Sequence, residues 1–394
     1  MKPIVQLEEY VVKSLPVALE ANQFLAEHPE LSGEEYESSA FLAKLLEANG
    51  IPTEFPAFCQ ETAFLGKVLT SEEPTFKLAL LVEYDALPDI GHGCGHSANG
   101  SISVLAALAL RDWAKAHPEE SKGLVIDLIG TPDEELRGGK VSMAKDGAFD
   151  QYDLAMMVHV TDELSSGNER FLALNDYRIR FYGQTAHAAG EPWLGKNAMN
   201  GAMLALHAID MLRQHVRPET RIGSYILEAG SASNVIPDFA EIEVCVRHTE
   251  RAYLDALIER VMKCIEGAAL ATETTFEVEE WGNPYDDMKW NETATKLAES
   301  VIAELGMPFE PGERIFAKGS SDIGSVSYAC PALHMQVQME GTGGAAHTVE
   351  RAQKMLDPEI AITLQKGAYM IAGTVLKLLA DPALQETMKE EFMN

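Results

Sequence analysis

"FKLALLVEYDALPDIGHGCGH", residues 76–96, decides how the chain folds. An almost unbroken apolar run ends at Glu83, Tyr84 and Asp85, and a loop with Gly91, Gly93 and Gly95 then presents Cys94 and His96 two positions apart. A run without polar alternation belongs to a strand buried on both faces, as in a parallel sheet covered by helices. Thiolate and imidazole on a tight loop beyond such a strand can hold a metal, but two ligands do not make a site. The rest of the chain has to supply the others.

The same texture repeats outward. "SISVLAALALRDWAKAH" (101–117) has the three- and four-residue apolar spacing of a helix. "GLVIDLIG" (123–130) runs into "TPDEE" (131–135), "YDLAMMVHV" (152–160) carries His159 near its end, and "ALHMQVQM" (332–339) precedes "GTGGAAHT" (341–348). The first 50 residues read as two helices, and a last one is expected over about 358–379. Strands alternating with helices predict an α/β domain with a mostly parallel sheet.

Near residue 175 the pattern changes. "YRIRFYG" alternates, "NAMNGAMLALHAIDMLRQH" is helical, "RIGSYILEAG" and "AEIEVCVRH" are strands, "RAYLDALIERVMKCIEGAALA" is helical and "TTFEVEEW" is a strand. That β-α-β-β-α-β order is a ferredoxin-like α+β unit. The expectation is therefore a domain over 174–284 inserted into a larger one made of 1–173 and 285–394.

At 394 residues two domains are the natural prior. The 46% hydrophobic and 23% charged shares are those of a globular chain, and no apolar run reaches a membrane span. The first 20 residues lack the apolar core of a signal peptide. Five scattered cysteines fit reduced thiols in a cytoplasm. A formal net charge of −30 argues against a nucleic-acid partner, which needs clustered Lys and Arg.

Ligand-capable side chains gather beyond the carboxyl ends of these strands, where crevices form in open α/β sheets. Cys94, His96, Glu135, His159 and His347 are the candidates, a donor set suited to zinc, manganese or cobalt. Five are more than one open catalytic ion takes, which points to two ions sharing a ligand and a water. Glu134, beside Glu135, is then the candidate general base. His92, His117, His207, His215 and His248 read as turn, surface or helix residues, and His334, within a strand, as structural.

"HPELSGEE" (28–35), "EYDALPDIGHGCGH" (83–96), "TPDEELRGGK" (131–140), "MMVHV" (156–160), "GQTAHAAGEPWLGKNAMNGA" (183–202), "SNVIPDFAEIEVCVR" (233–247) and "GSSDIGSVSY" (319–328) together resemble peptidase family M20, the dinuclear aminoacylase and carboxypeptidase-like amidohydrolases. The resemblance covers nearly the whole chain. It implies a zinc-peptidase-type catalytic domain with an inserted lid and dimerisation domain, hence a homodimer. It gives the same five ligands and the same base, and makes Asp85 an orienting residue. It also implies that His187 stabilises the oxyanion and that Asn234 lies near the substrate carboxylate or oxyanion. Arg247 is the candidate partner of a substrate carboxylate, and Ser320, Ser321 and Asp322 candidate pocket residues. Glu83 stands where another branch has a histidine, and Ser97 where many members of the near branch have an aspartate. The first sets aside the ligand assignments of the branch with aminoacylase-1 and carboxypeptidase G, and the second, with "EPWLGKNAMNGA" and "GSSDIGSVSY", turns the likeness from hippurate hydrolase toward the aminobenzoyl-glutamate and β-alanyl-lysine type.

The function expected is hydrolysis of the amide bond of a small N-acyl amino acid or dipeptide. A metal-held hydroxide attacks the carbonyl and Glu134 shuttles the proton. The rivals are a non-catalytic binder of amino-acid derivatives, a hippurate or indole-acetyl-amino-acid type of aminoacylase, and a thiol protein acting through Cys94.

Overall fold

The computed structural model describes residues 3–341 and 344–394, so Thr342 and Gly343 of the "GTGGAAHT" stretch lie outside it. It divides into two compact units. One holds the residues up to Arg170 with Met288–Ala317 and Ser321–Asn394, the other Phe171–Asp287 with Lys318–Ser320.

The first unit is built on an eight-stranded sheet. Its centre runs, in space, Leu124–Gly130, Phe76–Val82, Leu154–Thr161 and Ala332–Gln338, all parallel. Phe64–Leu69 and then Thr53–Glu54 extend one edge antiparallel, and the two-residue strands Ser165–Ser166 and Phe309–Glu310 extend the other. The strand Phe76–Val82 pairs with the next strand in the chain on one side and with the one after that on the other. The chain therefore reverses its winding there, and such a switch point is where open α/β sheets place their binding crevices, outside the carboxyl ends of the strands.

Leu78, Leu80, Leu81 and Val82 are fully buried, as the unbroken apolar run requires. Burying each such side chain is worth roughly 1.5–3 kcal/mol. The helix His96–Ala116 packs against the helices Pro3–Glu27 and Ile360–Ala380 and is buried from His96 to Leu110. Gly100 makes that possible: a Cβ there would lie 2.4 Å from the Glu83 carbonyl oxygen. The helix thus starts against the end of the central strand, which sets His96 beside Asp85.

The second unit has the strands Ala173–Tyr182, Arg221–Glu228, Phe239–His248 and Thr275–Glu280 and the helices Ala198–Leu212 and Arg251–Thr272. In space the order is Thr275–Glu280, Ala173–Tyr182, Phe239–His248, Arg221–Glu228, every pair antiparallel. Ile179, Phe181, Ile242 and Val244 meet Ala202, Ala205, Leu257 and Val261 of the helices, while Arg180 pairs with Glu241 at 2.8 Å. Arg221–Glu228 is an edge strand with Tyr225, Ile226 and Leu227 exposed.

The architecture is the expected one, an α/β unit and a ferredoxin-like α+β unit. The last long helix is Ile360–Ala380, and a further one, Pro382–Met393, follows it. Its polar sequence hides it from a pattern search, for it buries only Met388. Among the described residues no helix is long and apolar enough to cross a membrane.

Candidate active site

Three loops beyond the carboxyl ends of the central strands, the first leading into the helix that starts at His96, and the end of the strand Leu154–Thr161 bring Cys94, His96, Glu134, Glu135, His159 and His347 together in the first unit. Gly95 shapes the first of them. It has φ +100°, and a Cβ would lie 2.3 Å from Val160 Cγ2, so only glycine turns the chain into the helix at that point.

The histidines are oriented from behind. His96 Nδ1–H donates to Asp85 Oδ1 at 2.8 Å and His159 Nδ1–H to the Val160 carbonyl at 2.8 Å. Each ring nitrogen used in this way leaves Nε2 facing the cluster, as metal-ligating histidines require. Cys94 Sγ is 3.4 Å from His159 Nε2. Glu135 Oε1 lies 3.9 Å from His96 Nε2 and 3.7 Å from His347 Nε2. His347 sits at φ +61°, in the left-handed region, held by its N–H to the Gly93 carbonyl at 2.9 Å.

Ligand atoms of Cys94, His96 and His159 lie within 4.8 Å of one another, and so do those of Cys94, Glu135 and His347. Two three-donor sets thus share one sulfur. His96 Nε2 and Glu135 Oε1 are buried and have no hydrogen-bond partner among the described residues. Such groups are costly to bury, and divalent cations held by the two donor sets would satisfy them. The donor set and its orphaned atoms fit divalent metal.

The electrostatics agree. Burial and the neighbouring His334 push His159 down to about 3, so its imidazole is neutral. Burial disfavours charge on His96 too, yet Asp85, Cys94 and Glu83 raise its pKa. Burial, with the carboxylates of Asp322, Glu83 and Glu135, raises Glu134. Burial pushes the Cys94 thiol up to about 12, unlike an activated thiol nucleophile.

A second layer is only partly legible in the sequence, which singles out Glu83 and Asp322 but not Lys140. Lys140, fully buried, and Asp322 lie behind Glu83 and Glu134, and oxygens of the three carboxylates are within 4.8 Å of one another. His334 stacks on His159 with ring centroids 5.5 Å apart. No residue spacing announces a buried lysine inside "TPDEELRGGK".

The remaining candidates are spread over both units. Ser321 is buried in the first. In the second, His187 and Asn234 lie on paired segments, where Ala188 N–H donates to the Asn234 carbonyl at 3.0 Å. His187 Nδ1 accepts the Gly190 N–H at 3.0 Å, closing its turn. Arg247 is the last but one residue of the strand Phe239–His248, its Nε 3.3 Å from Cys245 Sγ, and Ser320 lies in the short 318–320 segment.

Fold and site together define a metal-dependent hydrolase. Residues 173–273 match the peptidase dimerisation domain of the M20 family. The chain is 32% identical over 378 residues to the Xaa-Arg dipeptidase of Mus musculus, covering 92% of this chain and 86% of the relative. It is 33% identical over 311 residues to one of the p-aminobenzoyl-glutamate hydrolase polypeptides of Escherichia coli K12, covering 74% and 63%. A dinuclear metal-binding peptidase of the M20 family from Bacillus subtilis has the same fold, with a TM-score of 0.69 at 19% identity over 94% of this chain and 99% of that one. The chain belongs to peptidase family M20 and is a metallo-amidohydrolase.

Proposed function

We propose that the protein hydrolyses the amide bond of a small dipeptide ending in a basic residue. Cys94, His96 and His159 would hold one divalent ion, and Cys94, Glu135 and His347 a second, with zinc, manganese and cobalt suited to the donors. The two donor sets sharing Cys94 carry this reading. The similarity to a dipeptidase named for arginine supports the substrate class. So does the net charge of −30, which attracts cationic dipeptides and repels the glutamate conjugates of the hydrolase relatives.

When bound, the ions polarise the scissile carbonyl and acidify a water. The residues do the rest. Glu134 takes the proton of the attacking water on its carboxylate and returns it to the leaving amine nitrogen as the C–N bond breaks. Asp85 and the Val160 carbonyl keep His96 and His159 in one tautomer. We assign the oxyanion to His187, a substrate carboxylate or oxyanion to Asn234, a substrate carboxylate to Arg247, and pocket lining to Ser320 and Ser321.

The assembly proposed is a homodimer through the second unit, whose exposed edge strand Arg221–Glu228 offers unpaired backbone and apolar side chains. The location proposed is cytoplasmic, where the five free cysteines stay reduced.

Metal content per chain, measured with hydrolysis of β-alanyl-lysine, aminobenzoyl-glutamate, hippurate and acetyl-methionine, tests the reading. About two ions per chain and chelator-sensitive cleavage of β-alanyl-lysine in preference to the others are expected. Preference for aminobenzoyl-glutamate would overturn the substrate class, and a protein that takes up no metal would overturn the whole.

A further inference from the structure

The loop "HPELSGEE" takes no part in the chemistry above, yet two of its side chains reach the segment that carries it. Glu35 is fully buried. Its Oε1 accepts the Asp133 N–H at 2.9 Å and the Gly33 N–H at 2.7 Å, and its Oε2 accepts the Thr62 hydroxyl at 3.1 Å. Ser32 Oγ donates to Asp85 Oδ2 at 2.7 Å, and that same oxygen accepts the Glu135 N–H at 3.0 Å. The amides on either side of Glu134 are therefore each held by a carboxylate, one directly from this loop and one braced by it.

We propose that Glu35 is a positioning residue for the hydrolysis: by gripping the Asp133 N–H it fixes the turn from which the Glu134 carboxylate projects. The inference rests on the reading of Glu134 as the proton carrier. Asp133 has φ +62°, a conformation a non-glycine residue keeps only when its surroundings impose it. Its carbonyl accepts the Gly138 and Gly139 N–H groups at 2.8 and 3.0 Å, and its Oδ1 the Arg137 N–H at 3.2 Å. The turn thus closes on its own C-terminal side, and Glu35 is the grip on its N–H. Once ionised, that acceptor makes the bond a strong one. Without it the peptide before Asp133 is free to turn, Asp133 can relax toward the right-handed region, and a displacement of about 1 Å at a reacting group costs on the order of 10²-fold in rate.

Three variants test this. Glu35→Asp withdraws the carboxylate by one methylene and keeps its charge. Glu35→Met keeps the volume and removes the acceptors. Glu35→Gln keeps an oxygen for both N–H groups and offers its NH₂ to the Thr62 hydroxyl. The readouts are kcat and KM on the dipeptide the wild type cleaves, metal per chain, and amide hydrogen exchange of residues 131–138. For Asp and Met, kcat is expected to fall roughly 10–100-fold with KM and metal content kept, and exchange to quicken in 131–138 while the sheet strands stay protected. Gln is expected to restore both kcat and protection. If Met fails to fold, Asp decides. Wild-type kcat with unchanged exchange in Glu35→Asp would overturn the proposal, as would loosened exchange throughout the unit. Should the wild type load metal and cleave nothing, the functional reading fails by itself, and the exchange of 131–138 still judges the grip of Glu35.

Discussion

Lys140 Nζ lies 2.7 Å from Glu83 Oε1, with both side chains out of reach of solvent. The same ammonium is 2.7 Å from Asp322 Oδ1, and the Lys140 backbone N–H donates to Asp322 Oδ2 at 2.9 Å. Burial alone would raise Glu83, but the Lys140 charge holds it down at about 2. A lowered carboxylate contributes stability that is present above its ordinary range and lost as pH falls through its folded value. Lys140→Met leaves the carboxylates without their cation, so it should cost about 3–5 kcal/mol at pH 7. In the variant burial acts on Glu83 without the opposing ammonium and raises it, so the deficit should shrink toward pH 5 as that carboxylate takes up a proton. Denaturant titrations at the two pH values measure this, and wild-type stability at pH 7 would contradict it.

Glu134→Gln keeps the shape of the side chain and removes its proton affinity. Metal per chain should stay at the wild-type level while kcat drops by about 10²–10⁴-fold. Steady-state kinetics beside metal analysis checks it. A variant with more than about a tenth of wild-type turnover takes the base role away from Glu134.

Cys94 belongs to both donor sets, whereas His347 belongs to one. Cys94→Ala should therefore lose both ions on dialysis, and His347→Ala only one. Full metal retention by Cys94→Ala would remove the shared ligand.

Burial, aided by the Asp85 charge, raises Glu35 from 4.5 to about 7. A raised acid keeps its proton in the folded state over pH values at which the unfolded chain has released it, so its stability contribution falls as pH rises between those values. Glu35→Gln carries no such dependence. Relative to wild type it should gain stability from pH 5 to pH 8, by on the order of 1–3 kcal/mol. Parallel melts at both pH values decide it, and a constant difference would count against the assignment.

Ile226 is exposed on the edge strand of the second unit. Ile226→Glu should shift sedimentation toward the monomer without lowering the melting temperature of the first unit. An unchanged sedimentation coefficient would move the interface elsewhere.

The strands that carry the site are legible because burial on both faces writes itself as unbroken apolar runs, as at Phe76–Val82. The ferredoxin-like unit is legible from alternation, as in "AEIEVCVR". Cys94, His96, Glu135, His159 and His347 can be picked out because ligand-type residues recur just past strand ends. What stays hidden depends on contacts between distant segments. Glu35 and Asp133 are 98 positions apart and Lys140 and Asp322 are 182 apart, and nothing local distinguishes Glu35 or Lys140 from solvated charges. His334 reads as structural, yet it stacks on His159, and only the parallel pairing of the two strands puts them side by side.

Lys140 has a consequence for how the enzyme matures. It is a cation that arrives with the chain itself, so part of the negative charge of the pocket is neutralised as soon as the polypeptide collapses. The ligand loops are likewise tied by protein bonds, the Gly93 carbonyl to His347 and Asp85 to His96. The frame of the site is therefore expected to form before the ions bind. A sample stripped by chelator should regain its turnover on simple addition of metal, with no refolding step.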